Sequence, residues 1–325
     1  MNDTALNNNE KQNQTFGQKS RAILLCNLAL LKLINSSFWK SPEKWFMTFV
    51  FTFFFIAIFG FINQAINTSN TGINDGLIFK AGLTGLPALM VISTGLNSIP
   101  ISIMEIKESV LMKRIGATPI RPWMFVTTVA SFYFMITILQ VLLSFFTFFI
   151  FFGFQTFVVD LKELNARVDV SGIQLLFTGF QVGDVTFQTN WGSYIFAMIY
   201  VLLLANFIAI LITSVTKKSS SASMIGSMVF FFSMFLSGLL FPLSVISQNI
   251  GLNVLSFVSP FRYTNVLISL AWEGQNIFDL ANLDLQPEVT GIGSIAEVWT
   301  GYFVPLFFIV LTIFISTKRF RWSTR

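Results

Sequence analysis

Ionisable side chains are scarce in this chain, and one short segment gathers six of them, Arg121 among them. ISIMEIKESVLMKRIGATPIRPWMF, residues 101–125, carries Glu105, Lys107, Glu108, Lys113 and Arg114 between two apolar stretches. Read as a helical continuation of the preceding apolar stretch, it projects these charges beyond a membrane edge. Gly116 tolerates the left-handed conformation that ends helices. Thr118 stands before Pro119 and is pushed toward extended backbone. Pro122 suits the first turn of the next helix. The pattern predicts a charged helical finger whose chemistry is ion pairing with another protein. A plain solvated loop is the competing reading.

Other chemistry is poorly supplied. The chain has no histidine and a single cysteine, Cys26, so the commonest general base and metal ligand are missing and no disulfide can close within it. No G-x-x-x-x-G-K-[ST] phosphate loop occurs. The apolar stretches hold no Asp or Glu in their interiors, and Lys80 is the only charge near the inside of one. Carriers driven by protons or sodium place ionisable or cation-binding groups at mid-membrane. We therefore expect no enzyme activity, no metal and no cofactor in this chain. Its energy comes from elsewhere, or it is passive.

The elements that position the finger follow from composition. Of 325 residues, 54% are hydrophobic and 11% charged, against about 25% charged in ordinary soluble domains. A span needs about 20 apolar residues. Six stretches qualify, near 45–62, 77–103, 123–152, 193–215, 223–241 and 298–315. Trp45, Trp123, Trp191 and Trp299 open four of them and Trp322 follows the last, as indoles favour the headgroup level. Lys and Arg crowd one set of connecting segments, and Asp and Glu the other, which places both termini in the cytoplasm. The net charge of +5 is thus a topology signal, and no nucleic-acid partner is expected.

The expected fold is an all-α integral membrane protein. Residues 1–20 form a disordered polar tail. Residues 21–44 hold a cytoplasmic amphipathic interfacial helix, with Ala22, Ile23, Cys26, Ala29, Leu30, Leu33 and Ile34 on its apolar half. The alternative is a short helix buried in protein. Residues 45–318 form the six-span domain and 319–325 a basic tail. QVGDVTFQT, 181–189, predicts a short strand pair or a loop. Between spans five and six, Pro242, Gly251 and Pro260 break an apolar run into pieces too short to cross, read as outer re-entrant or interfacial helices.

The finger's wording, E-x-K-E-x-x-x-x-K-R-x-x-A-T-P, resembles the cytoplasmic motif of ABC-2-type transporter permeases, typically E-R-E-x-G-T-L-x-x-L-x-x-x-P between spans two and three. Ser109-Val110 departs from the family's Gly-Thr. SGLLFPLSVI, 237–246, and SPFRYT, 259–264, are similar to the family's stretches around its outer helices, and the likeness covers about residues 20–318. It implies a half-transporter in the cell membrane. Two copies of an ABC ATPase would supply ATP and Mg, and a second permease chain, identical or not, would complete the pathway among membrane lipids. Coupling to the ATPase would fall to Glu105, Lys107, Glu108, Lys113, Arg114, Thr118 and Pro119. By the same analogy spans two and five line a path at the dimer axis, with Gly85, Ser223, Ser227, Phe231 and Phe235 beside it and Phe241 and Pro242 capping its exit. Such an uncharged path implies export of amphipathic, lipid-like or drug-like cargo. Against this stand a passive channel or scaffold, which shows no polar pore stripe, and a secondary transporter, which lacks its carboxylates.

Overall fold

The computed structural model describes residues 27–59, 85–108, 122–148, 181–182, 185–186, 189–241, 243–247, 249–283, 285 and 292–319. The polar tail 1–20, residues 320–325 of the basic tail and residues 109–121 of the finger lie outside them. The described chain is helical, apart from a two-residue antiparallel ladder that pairs Gln181 with Thr186 and Val182 with Val185. That ladder falls in the segment read as a strand pair or a loop.

Helix α1 covers 27–40 and α2 covers 42–59. Then come α3 (Gly85–Glu108), α4 (Pro122–Phe148), α5 (Trp191–Val215) and α6 (Ser219–Leu236). Three short helices follow: α7 (Leu243–Ser247), α8 (Ile250–Ser256) and α9 (Pro260–Trp272). The last, α10, is Ile295–Arg319. Five of these are long and apolar enough to cross a membrane: α3, the 125–147 part of α4, α5, α6 and α10. The count rises to six if α8 and α9, bent by 101°, form one broken span. The first predicted span is described only as the apolar helix Thr48–Phe59.

Local chemistry explains several boundaries. Pro122 starts α4 and Pro260 starts α9, positions where a missing N–H costs no helical bond. The Asn190 side chain accepts from Ser193 N–H and caps α5. Asn249 does the same for α8, accepting from Gly251 and Leu252 N–H. Gly251 therefore does not break the chain, contrary to expectation. It sits in the first turn of α8, and the break falls at the capping asparagine.

Helix α3 is the axis of the fold. Of its apolar window 89% is buried, against 28% for α6 and for α10. It packs on α5, α6 and α4, while α5, α9 and α10 pack on one another. A wide π turn interrupts it at Thr94–Ser98. The cause is Pro100, which has no N–H for the Leu96 carbonyl four residues back and crowds it. A second π turn, Phe46–Val50, lies in α2.

Helix α1 buries Leu30, Ile34 and Phe38 against Ile99, Ile103, Phe125, Val129 and Tyr133 of α3 and α4. Ala29, placed on the apolar half by the sequence, is exposed, as are Leu28, Leu31 and Trp39. The buried stripe thus runs i, i+4, i+8 through Phe38, and protein occupies that face. Apolar side chains also cover the outward faces of α4, α6 and α10, among them Met135, Leu142, Phe146, Phe232, Phe307 and Val310. Exposed apolar faces on several long helices are the surface of a chain that lives among hydrocarbon rather than water.

Candidate functional site

The end of α3 that carries the charges is a junction. The Glu105 carboxylate pairs with the Lys44 ammonium of α2. Lys44 is only 4% exposed, so this pair spares a buried cation from standing alone. Lys107 donates to the Thr213 carbonyl at 3.0 Å, one of the last carbonyls of α5, where a helix welcomes a cation. Glu108 accepts from Ser219 N–H at 2.6 Å. That is the first residue of α6, where a helix welcomes an anion. Three charges within one turn of α3 thus hold three different helices.

These contacts were not anticipated. The sequence placed Glu105, Lys107 and Glu108 on a helical continuation of span two, which α3 is. It assigned them outward, to a partner protein, and missed Lys44, Thr213 and Ser219. Lys113, Arg114, Thr118 and Pro119 lie outside the described residues.

The expected pathway residues fall along the α3–α6 seam. Gly85 and Gly226 are the points of closest approach. A β-carbon on Gly226 would overlap the Leu96 carbonyl oxygen, and one on Gly85 would overlap the Leu239 carbonyl. Leu96 is the residue whose carbonyl Pro100 deprives of a donor, so helix break and glycine contact meet at one point. Gly85 is buried, and the Leu239 backbone packs directly against it. Ser227 donates to the Asn97 side-chain carbonyl at 3.0 Å, and Ser223 and Ser227 are half-buried. Phe231 and Phe235 point outward, and Phe235 stacks on Phe241 with centroids 6.3 Å apart. Pro242 is outside the described residues. Asn97, which the sequence did not single out, is the one residue of α3 between Gly85 and Pro100 that is not buried.

A polar cluster sits deeper. Gln140 of α4 is 1% exposed. Its amide donates to the Thr48 carbonyl at 3.0 Å and to the Thr52 hydroxyl at 2.8 Å, and accepts from the Thr94 hydroxyl at 2.6 Å. Thr48 belongs to the π turn of α2 and Thr94 opens the π turn of α3. One side chain therefore fastens both irregular turns. No group of three or more His, Cys, Asp or Glu able to hold a metal ion is found among the described residues.

This is the build of a polytopic helical membrane protein. Lys44, Glu105, Lys107 and Glu108 tie helices together at one end. Comparison with family models, with curated proteins and with solved structures gives no match.

Proposed function

We propose that this chain is the permease half of an ATP-driven exporter of the ABC-2 type, moving amphipathic or lipid-like cargo. One observation carries the reading beyond the finger's resemblance: the end of α3 is bonded at once to α2, α5 and α6. A force applied by an ATPase at the finger would reach four helices through short polar contacts. Helix α3, buried along its length, would carry that tilt through the whole bundle. The proposed dimer axis runs along α3 and α6, where Ser223, Ser227 and Asn97 supply mild polarity beside Phe231 and Phe235. In this reading both termini are cytoplasmic and α7–α9 lie in the outer leaflet.

The test is biochemical. The full chain is expressed with an affinity tag in its own cell background and purified in mild detergent, with co-purifying subunits identified by mass. A P-loop ATPase at one copy per permease chain is expected, with hydrolysis stimulated by amphipathic compounds. Glu108→Lys should uncouple that stimulation without dissolving the complex. Cargo movement by the purified chain alone, with no ATPase bound, would defeat the proposal.

A further inference from the structure

A cation is buried in the elbow between α8 and α9. Arg262 is 4% exposed. One of its terminal nitrogens donates to the Asn253 carbonyl at 3.1 Å, to the Asn253 side-chain oxygen at 2.8 Å and to the Ser256 hydroxyl. Its guanidinium lies 3.8 Å from the Phe257 ring centroid. All of these partners are neutral. Glu297 acts on it only as a longer-range charge. A buried cation near hydrocarbon that no described carboxylate contacts directly favours an anion beside it.

Three further observations say which anion. The Ser259 hydroxyl, at the N-cap of α9, is buried and has no hydrogen-bond partner. It stands where the helix dipole favours negative charge, at the start of a 13-residue helix. The surroundings are inverted for a water-facing helix. Helix α8 turns Asn253 and Ser256 toward Arg262 and presents Ile250 and Val254 outward, at 83% and 63% exposure, and Val258 just beyond it is 75% exposed. Depth also fits. The Tyr263 carbonyl packs against Gly301, about half a helical turn inside Trp299, and an exposed tryptophan marks the headgroup level. An arginine there reaches the phosphate layer.

We propose that the start of α9, through the Ser259 hydroxyl and the Arg262 guanidinium, binds the phosphate of a membrane lipid, with α8 laid against its acyl chains. Arginine suits phosphate because its planar fork offers several donors at once. The site needs only that the helices sit in a bilayer and is independent of the export reading.

Delipidated protein would be offered phosphatidylglycerol, a diglucosyl diacylglycerol or inorganic phosphate, and retained ligand counted by native mass spectrometry. Retention of phosphatidylglycerol and release of the glycolipid are expected. Ser259→Ala removes a hydroxyl that bonds nothing in the protein and leaves the Arg262 contacts with α8 in place. It should keep its melting temperature and hold phosphatidylglycerol about tenfold more weakly. Arg262→Gln should abolish retention. Equal retention by wild type and Ser259→Ala would overturn the site, as would equal retention of the glycolipid. Binding of inorganic phosphate without lipid retention would overturn the lipid as its source.

Discussion

Replacing Gln140 by leucine tests whether the polar cluster holds α2, α3 and α4 together. Leucine is close to glutamine in volume, so the change removes hydrogen bonds without opening a large cavity. Three bonds are lost: those to the Thr48 carbonyl, the Thr52 hydroxyl and the Thr94 hydroxyl. Interhelical hydrogen bonds in membrane proteins average about 0.6 kcal/mol and reach about 1.7 kcal/mol. Three average bonds amount to about 2 kcal/mol. The freed Thr94 hydroxyl recovers part of this by bonding a carbonyl of its own helix, as Thr52 does with Thr48 and Thr137 with Tyr133. The Thr48 carbonyl keeps the Thr52 hydroxyl as a donor. We therefore expect a loss of about 1–2 kcal/mol in equilibrium unfolding from mixed micelles. A double-mutant cycle with Thr94→Ala should show coupling of about 0.6 kcal/mol, because that pair shares one bond. If Gln140→Leu unfolds within 0.3 kcal/mol of wild type, about the noise of additivity, the cluster is not a clamp and the reasoning fails.

Three further outcomes are expected. Gly226→Ala should lower the melting temperature sharply, since the new methyl meets the backbone of Leu96, while Gly192→Ala, whose nearest atom is the Asn190 side-chain oxygen at 3.6 Å, should not; equal melting of the two would contradict the seam. Glu105→Lys should cost about 2–3 kcal/mol in the same unfolding assay, below the 3–5 kcal/mol of a fully buried pair because Glu105 is partly exposed. The double change Lys44→Glu with Glu105→Lys should recover part of it, and no recovery would argue against the pairing. Asn190→Ala should cost about 1 kcal/mol by removing the cap of α5, read as faster amide exchange in that helix's first turn, with Asn190→Asp close to neutral.

The membrane character of this chain, the positions of its apolar helices, the proline-marked starts of α4 and α9 and the helical continuation bearing Glu105 and Glu108 were legible from the residues alone. Each depends on composition or on neighbours within a few positions, and hydrocarbon imposes the same demand on every spanning segment. Folding settled the rest by choosing partners far apart in the chain. Lys44 meets Glu105 across 61 positions, Gln140 meets Thr48 across 92 and Ser219 meets Glu108 across 111. No local pattern encodes such pairs. A charge at a helix end reads the same whether it faces a partner protein or caps a neighbouring helix. Gly85 shows the same limit: a small residue suits an open path and a tight crossing equally, and the close Leu239 backbone beside it comes only with the fold.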